Sequence, residues 1–481
     1  MKYAGIDIGT TTISAVLIDG SGRELCHYTV PNDSALHGEN SWERLQDAER
    51  ITEICQDLIN RIRRDAGTFN GHSALSGIGL TGQMHGIVYF DQNGRAVSPL
   101  ITWQDGRGDA WLSGTEDSHR GDAAFCGNAY GGGDADTACG RIRKLTGWKT
   151  ATGFGLVTVY ADGLSGKIPD RAAGIGTIED YVAMHLTERT RALLHPSNAA
   201  SLGFYHHDSG FDRESLKTLG IPKQLIPEIA EMECAVGSMR CGEEEIPVSI
   251  PIGDNQASFL GSVGAEEDVL INIGTGSQMS ALSDRYLSIA GLECRPFVGG
   301  RYLINGSSLC GGYAYSILER FYRSVFRMAG IEAPDHLMQL MDRAAEGLPK
   351  GTRVKFDTRF RGTREDSRLT AAVTNIHEET MTAGDLSYAC MEGIARELYD
   401  FYTLLPDGFH SDKPMAASGN GPRNSRIECR IIEKVFGREI RITSSAEEAA
   451  YGAALFSLHT AGGRTLEEVR RLIRYTDRVS G

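Results

Sequence analysis

Residues 4–19, AGIDIGTTTISAVLID, decide the architecture of this chain. Apolar residues alternate around Asp7, and an extended apolar run resumes at Ser14, so the stretch predicts two strands joined by a tight polar turn. Gly9 can adopt backbone conformations that are closed to other residues, and N–H groups and hydroxyls in such a turn can surround an anion. On its own a Gly-Thr hairpin is more often an ordinary hairpin.

A second copy of this stretch favours the anion-binding interpretation. Residues 271–284, INIGTGSQMSALSD, align with residues 6–19 without a gap and share Ile, Ile, Gly, Thr, Leu and Asp at matching positions. One copy opens the chain and the other lies just past its middle. The spacing predicts two related halves, each with a phosphate-binding hairpin. The sequence therefore predicts a two-lobed protein that uses a nucleotide.

The bulk properties fit a globular protein of two or more domains. The chain has 481 residues, of which 41% are hydrophobic, and a net charge of −14. The negative charge argues against nucleic acid or an anionic membrane as the main partner. No apolar run is long enough to span a bilayer, and Met1 leads directly into the first strand without a signal peptide. The ten cysteines show no zinc-binding spacing, so we expect reduced thiols in a cytoplasmic protein.

Three stretches between the hairpins predict further organisation. Residues 40–67 carry apolar residues at helical spacing, with Asn40 and Glu43 as a capping signal, and predict one long helix. The polar residues 241–246 predict a domain junction, and the Gly-rich residues 121–140 predict a surface loop or lid. Strand, helix and strand in alternation with hairpins is typical of an α/β fold.

Two patterns mark the C-terminal part. An apolar strand at residues 415–418 ends in Gly419-Asn420-Gly421, where bare backbone could contact a flat base, although a simple helix entry has the same pattern. Ser445 and Glu448 form a capping-box pattern before a run of alanines. Those small residues predict a helix packed closely against another element.

Asp254 is the candidate general base. It follows an apolar strand and Gly253, and it stands about 20 residues before the second hairpin. Transfer of phosphate to an alcohol needs a carboxylate that takes the hydroxyl proton. An Asp at this point of a strand is also a favoured helix N-cap. The position before the second hairpin favours the catalytic interpretation.

Asp7 is the candidate metal ligand. It lies beside the first turn, and oxygen ligands suit Mg²⁺, which it would hold through water. The alternative is a carboxylate satisfied by the N–H groups of its own hairpin. Thr10, Thr11 and Thr12 would contact phosphate, or they are ordinary strand residues.

Two polar clusters suit a polyol substrate. Met84 and His85 lie in a loop between glycines, where the alternatives are core filler for the methionine and a solvated side chain for the histidine. The second cluster consists of Trp103, Gln104, Asp105 and Arg107. It offers an aromatic wall and hydrogen-bonding partners for the hydroxyls of a sugar. The alternative is a structural cluster of capping residues and salt bridges.

Together these motifs resemble the FGGY family of carbohydrate kinases. The motifs GIDIGTTT (residues 5–12), GQMHG (82–86), WQDGR (103–107), GDN (253–255) and SGNG (418–421) occur in the order of that family and cover essentially the whole chain. The resemblance implies an α/β fold of two duplicated, actin-like ribonuclease-H-type domains, residues 1–246 on the sugar side and 247–481 on the nucleotide side. ATP, Mg²⁺ and a small sugar would meet in the cleft between them.

The family pattern also implies a role for each matching residue. Asp254 would be the general base and Asp7 would hold the metal. Met84, His85, Trp103 and Asn255 would lie near the sugar, with Gln104, Asp105 and Arg107 on the same side. The residues expected to contact ATP are Thr10, Thr11, Thr12, Gly274, Thr275, Gly311, Gly419, Asn420 and Asn424.

Within the family the sugar-side motifs resemble sedoheptulokinases most and xylulokinases next. The expected reaction is therefore phosphorylation of a terminal hydroxyl of a ketose, with sedoheptulose favoured and a homodimer possible. The sequence departs from the xylulokinase pattern at Gly276-Ser277 and at Gln256. An actin-like nucleotide switch without sugar kinase activity is the alternative of another class, and the sugar-side loops argue against it.

Overall fold

The computed structural model describes residues 1–68, 75–110, 136–363, 366 and 368–476. The first part of the chain contains β1 (Lys2–Ile8), β2 (Thr12–Asp19), β3 (Glu24–Pro31), β4 (Ala35–Leu36), β5 (Leu45–Gln46), α1 (Ala48–Thr68), β6 (Gly77–Gly82), β7 (Val88–Phe90), β8 (Leu100–Ile101), α2 (Ala138–Thr146), α3 (Gly155–Ser165), β9 (Gly174–Gly176), α4 (Ile178–Leu186), β10 (Leu193–Leu194), α5 (Pro196–Ser201), β11 (Tyr205–His206), β12 (Gly210–Phe211), α6 (Arg213–Thr218), β13 (Glu228–Ile229), β14 (Ala235–Cys241), β15 (Glu244–Ser249), β16 (Ile252–Gly253) and α7 (Asp254–Ser262).

The second part begins with the repeated hairpin. It contains β17 (Val269–Ile273), β18 (Ser277–Ser283), β19 (Glu293–Pro296), β20 (Tyr302–Ser308), α8 (Gly311–Met328), α9 (Leu337–Glu346), β21 (Lys355–Asp357), β22 (Ala372–Thr374), α10 (Ala383–Thr403), β23 (Met415–Ser418), α11 (Asn420–Asn424), α12 (Arg426–Phe436), β24 (Ile440–Ile442), α13 (Glu448–Thr460) and α14 (Leu466–Arg470).

The chain forms two compact units. Unit 1 comprises the described residues of Met1–Gly261, Arg295–Tyr302 and Ser445–Ile473, and unit 2 comprises those of Ser262–Cys294, Leu303–Ser444 and the residues from Arg474. Asp254 thus belongs to unit 1. The predicted boundary at residues 246/247 differs from this division, because the polar residues 241–246 lie at the turn of the β14–β15 hairpin.

The sheet of unit 1 has the order β14-β15-β6-β1-β2-β3, with β16 also paired to β6. The opening stretch forms the antiparallel pair β1 and β2, as predicted. On the other side of β1 lies β6, which runs parallel to it. Because β1, β6 and β16 all run parallel, their carboxyl ends meet at one edge of the sheet.

The sheet of unit 2 repeats this arrangement. Its strands follow the order β20-β18-β17-β23-β24, in which β17 and β18 form the antiparallel hairpin. β23 pairs with β17 in parallel, as β6 does with β1. The duplication that was predicted from residues 271–284 is therefore confirmed in the topology of the two units.

Helix α13 packs closely on the sheet of unit 1, as its small residues predicted. A Cβ added at Gly5 on β1 would lie 1.9 Å from the carbonyl oxygen of Ala450, and one added at Gly79 on β6 would lie 1.9 Å from that of Ala453. Both oxygens belong to the helix backbone. Glycine at these two strand positions is what permits the close approach.

Two helix starts differ from the prediction. The long helix α1 begins at Ala48, because residues 45–46 form strand β5, and Glu43 accepts the backbone N–H of Asn40 within the preceding loop. Helix α13 begins at Glu448 without a side-chain cap, since the Ser445 hydroxyl bonds Glu24 instead.

Part of the predicted loop at residues 121–140 lies outside the described residues. Its end forms the start of α2, where the Thr137 hydroxyl accepts the N–H of Gly140. Among the described residues, no helix combines the length and hydropathy that a transmembrane span requires.

Candidate active site

The carboxyl ends of three parallel strands gather the candidate catalytic groups in unit 1. Gly82 of β6 is the register partner of both Ile8 on β1 and Gly253 on β16. Asp7 therefore lies one residue before this row, and Asp254 lies one residue after it. Ligands commonly bind at such edges of α/β sheets.

Asp254 is the first residue of α7, and its carboxylate is held in place on one side. Its Oδ1 accepts the N–H of Asn255 at 2.7 Å. Burial raises the pKa of Asp254 to about 6, while the Asn255 N–H and the guanidinium of Arg295 favour the ionised form. A carboxylate with this pKa is ionised at neutral pH and basic enough to receive a proton.

Asp7 faces two other carboxylates. Burial, Asp254 and Glu447 together raise the pKa of Asp7 to about 8. Like charges in one site disfavour the ionised form, and a bound divalent cation would relieve that repulsion. The charge arrangement around Asp7 therefore fits a cation.

Glu179 is a further buried carboxyl group behind the same strand ends. One of its oxygens would lie 3.2 Å from a Cβ placed on Gly82, and neither oxygen accepts a hydrogen bond of normal length from the described residues. Burial, with Asp180 and Asp254 nearby, raises the pKa of Glu179 well above its ordinary value. Burial therefore favours the neutral form of Glu179, whereas the Asn255 N–H and Arg295 favour the ionised form of Asp254.

The pKa of Asp254 predicts how activity depends on pH. We expect kcat/KM for the acceptor to be constant above about pH 7 and to fall about tenfold for each pH unit well below 6, because a protonated Asp254 cannot accept a proton. Initial rates measured from pH 5 to 9 at saturating nucleotide test this. An acidic limb near pH 4, the ordinary range of Asp, would contradict the assignment.

Met84 and His85 lie next to the strand ends. Met84 is buried, and its methyl group would be 2.5 Å from a Cβ on Gly253. The His85 Nδ1 donates to the carbonyl of Ser201 at 2.7 Å, which leaves Nε2 to accept from Arg295 at 3.4 Å. Two predicted sugar-side residues are thus brought to the site of Asp254 and Arg295.

Trp103 is connected to the first turn. Its indole N–H donates to the Thr10 hydroxyl at 3.2 Å, and that hydroxyl in turn donates to Gln83 at 3.2 Å. Trp103 stays 40% exposed, so part of it is accessible to a ligand. Thr11 and Thr12 are exposed at the same turn.

Asp105 and Arg107 favour the salt-bridge alternative. Both carboxylate oxygens of Asp105 accept from Arg107, and Arg107 also pairs with Asp162 at 2.6 Å. Asp105 is fully buried. Their charged atoms are therefore already used inside unit 1, whereas Gln104 is half-buried and stays a predicted sugar contact.

The predicted nucleotide residues of unit 2 gather around the end of β17. Gly312 and Tyr313, in the first turn of α8, donate to the carbonyls of Gly274 and Thr275 at 2.8 and 3.0 Å. A Cβ on Gly311 would lie 2.4 Å from the Gly276 oxygen. The second hairpin and the start of α8 thus form one glycine-lined turn.

The SGNG motif joins the same turn. Gly419 has φ +85°, and a Cβ there would lie 2.5 Å from the carbonyl oxygen of Ile273 on β17. Asn420 and Asn424 lie on α11 and are exposed. The structure therefore brings Gly419 to Gly274 and Thr275, with both asparagines beside them.

Motif reasoning missed two charged residues at the site. Arg295 faces Asp254 and His85, but it lies on β19, in a stretch without a recognisable motif. Glu179 stands in the first turn of α4, where it looks like an ordinary first-turn acid. Its position beside Gly82 depends on packing against β6, which the local pattern does not reveal.

Comparisons with known proteins show similarity to carbohydrate kinases. Residues 2–125 match the family described as FGGY family of carbohydrate kinases, N-terminal domain. The chain is 27% identical to a sedoheptulokinase of Mus musculus, over 94% of this chain and 96% of that protein. Its fold is similar to that of a xyloylose kinase from Brucella ovis (TM-score 0.79, 21% identity, 99% and 94% of the two chains) and of Plasmodium falciparum glycerol kinase with ADP (TM-score 0.75, 18% identity, 99% and 92%).

These comparisons confirm the predicted resemblance and the predicted fold class. The two-domain, actin-like α/β architecture agrees with the repeated sheet topology of the two units. They also confirm the prediction of an ATP-dependent carbohydrate kinase.

Proposed function

We propose that this chain, an FGGY carbohydrate kinase, transfers the γ-phosphate of ATP to a terminal hydroxyl of a ketose, with sedoheptulose as the preferred acceptor and sedoheptulose 7-phosphate as the product. The observation that carries the proposal is Asp254, a half-buried carboxylate with a pKa of about 6 that faces Arg295 at the ends of parallel strands. The similarity to a sedoheptulokinase along nearly the whole chain supports the choice of sugar.

The proposed chemistry is general base catalysis by Asp254. The ionised carboxylate accepts the proton of the acceptor hydroxyl while the hydroxyl oxygen attacks phosphorus. Arg295, His85 and Asn255 lie next to Asp254 and would orient the acceptor by hydrogen bonds. Trp103 would cover the C–H face of the sugar, because its ring is partly exposed beside Thr10.

Mg²⁺ would be held at Asp7. Among the described residues, no group of three or more acidic, His or Cys side chains could hold a metal ion. Mg²⁺ is usually bound by one or two carboxylates, together with water and substrate phosphates. Asp7 supplies such a carboxylate, and the bound ion would neutralise charge on the phosphates.

The nucleotide is proposed to bind the glycine-lined turn of unit 2. Gly274, Thr275 and Gly311 would approach the phosphates through bare backbone, and Gly419, Asn420 and Asn424 would contact the nucleoside. In unit 1 the exposed hydroxyls of Thr11 and Thr12 would face phosphate. A cytoplasmic location and a homodimeric assembly stay predictions of the sequence.

A substrate screen tests the proposal. ADP release is measured with ketoses of five to seven carbons and with glycerol, and kcat/KM is compared between them. We expect sugar-dependent ADP release with the highest kcat/KM for sedoheptulose. Equal values for xylulose and sedoheptulose would contradict the proposed substrate, and ADP release that needs no sugar would contradict the kinase assignment.

A further inference from the structure

Glu233 stands at the centre of a hydrogen-bond network in unit 1. Its Oε1 accepts the N–H of Gly299 at 2.5 Å and lies 3.4 Å from His195 Nε2. Its Oε2 accepts from His459 Nε2 at 3.1 Å. A carboxylate that binds three groups from three different segments fixes those segments relative to one another.

One arm of this network reaches the peptide before Asp254. His195 is 2% exposed, and its Nδ1 lies 2.8 Å from the hydroxyl of Ser197. The Ser197 oxygen accepts the N–H of Gly253 at 3.2 Å. The Ser197 hydroxyl thus donates to His195, and the His195 Nε2–H donates to Glu233. Each donor in this series of hydrogen bonds therefore has an acceptor.

The other arm reaches the segment that carries Arg295. Gly299 has φ +73° in the loop that follows β19, and its N–H is bound by Glu233. The carbonyl of Pro296 accepts from the side chain of Gln256 at 2.9 Å. The backbone after Arg295 is therefore held at two points.

His459 on α13 is the third partner of Glu233. Its Nδ1 contacts the carbonyl of Arg464 at 2.5 Å while Nε2 contacts Glu233, so both ring nitrogens act as donors. The contact with Glu233 raises the pKa of His459, and the two histidines and the Gly299 N–H hold the pKa of Glu233 at about 2, against the effect of burial. Glu233 is therefore ionised throughout the range in which the enzyme works.

We infer that Glu233, with His195 and Ser197, is a positioning network that holds Asp254 and Arg295 in register with each other. Glu233 acts through Gly253 on the base and through Gly299 on the guanidinium, and it needs no contact with the sugar. This inference rests on the proposed role of Asp254. It adds residues that determine how well that base is oriented.

The two arms predict different kinetic effects. Glu233→Gln removes the charge and leaves one acceptor oxygen, which cannot serve Gly299, His195 and His459 together. The Gly299 loop is therefore held less firmly, and Arg295 loses its fixed distance from Asp254. We expect kcat to fall about tenfold or more, because small displacements of catalytic groups are costly. The acidic limb of kcat/KM should also move to higher pH by roughly one unit, since a cation near a carboxylate favours its ionised form.

Ser197→Ala affects the first arm alone. It leaves the Gly253 N–H without its acceptor while Glu233 still binds Gly299. We expect a similar fall in kcat with a smaller shift of the acidic limb than in Glu233→Gln, because the Gly299 loop stays bound. In both variants KM for ATP should stay within about twofold, because no residue of the network belongs to the proposed nucleotide site.

The charged groups around Asp254 determine how a shift in the acidic limb of kcat/KM is interpreted. Asp7 on β1 and Glu179 on α4 are carboxyl groups, and Arg295 on β19 is the nearby cation that favours ionisation of Asp254. Neither substitution in the network changes any of these groups directly. A shift of the limb in Glu233→Gln therefore reports a displacement of Arg295.

Glu244→Gln is the matched control. Glu244 pairs with Arg63 at 3.0 Å in the same unit, at a distance from the strand ends that carry Asp254. This variant should keep the wild-type kcat and acidic limb. Melting temperatures of all variants separate lost folding from lost positioning.

The outcomes distinguish this inference from the proposed function. Sugar-dependent turnover by the wild type, with Glu233→Gln and Ser197→Ala changed as described and Glu244→Gln unchanged, supports the network. Variants that only melt earlier, with wild-type kcat and acidic limb at low temperature, would overturn it. A wild type without sugar-dependent turnover would instead overturn the proposed function.

Discussion

Replacing Asp254 by Asn is expected to lower kcat by about two to four orders of magnitude, the usual contribution of a positioned general base. Asparagine has nearly the same shape and still offers Oδ1 to the Asn255 N–H, but it cannot accept a proton. Because the substitution leaves unit 2 unchanged, ATP binding should stay within about twofold. Sugar-dependent ADP release gives kcat, and titration calorimetry with ATP gives the affinity.

Asp212→Asn is the control for this substitution. Asp254 begins α7, and the alternative interpretation of this residue is a helix cap. Asp212 is such a cap, because its carboxylate accepts the N–H of Ser215 in α6 at 3.0 Å. Asparagine is also a good N-cap, so both variants should melt close to the wild type. Wild-type turnover in Asp254→Asn would show that the carboxylate is only a cap.

The two hairpins and their repetition could be predicted from the sequence. Residues 6–19 and 271–284 predicted two equivalent halves, and each proved to be an antiparallel pair with a parallel strand beside it. Short-range pattern was sufficient here because a hairpin is a local structure. The alanine run of α13 likewise predicted close packing, although its partners, Gly5 and Gly79, lie far away in sequence.

The surroundings of Asp254 could not be predicted in the same way. Arg295 reaches Asp254 from β19, and Glu179 reaches Gly82 from α4. Neither residue belongs to a periodic pattern that differs from an ordinary surface strand or helix. Their proximity is a result of tertiary packing, and the shifted pKa of Asp254 depends on that packing.

Local sequence was also misleading where charges pair at long range. The cluster at residues 103–107 offered donors and acceptors that suit a polyol. In the structure Arg107 binds Asp162, which is 55 positions away, and Asp105 is buried with it. A buried carboxylate needs such a partner. Trp103, whose ring needs no charged partner, is the most exposed member of the cluster.

Replacing Gly5 by Ala is expected to reduce the free energy of unfolding by about 3 kcal/mol, at the upper end of the range for overpacked cores. The added Cβ would lie 1.9 Å from the Ala450 oxygen and 2.4 Å from the Ala454 nitrogen, both in the backbone of α13. A rotamer change cannot relieve this overlap, so the helix has to move away from β1. Chemical denaturation and the melting temperature measure the effect.

The displacement should also reach the active site. Glu447 immediately precedes α13 and faces Asp7, so a helix that moves outward changes the charge around the proposed metal ligand. We therefore expect the apparent affinity for Mg²⁺ to change in Gly5→Ala as stability falls. Gly163→Ala in α3 is the control, because its Cβ would meet only the Ile168 side chain at 3.6 Å and alanine is favoured within helices. A Gly5→Ala variant as stable as Gly163→Ala would show that α13 does not need the bare backbone of β1.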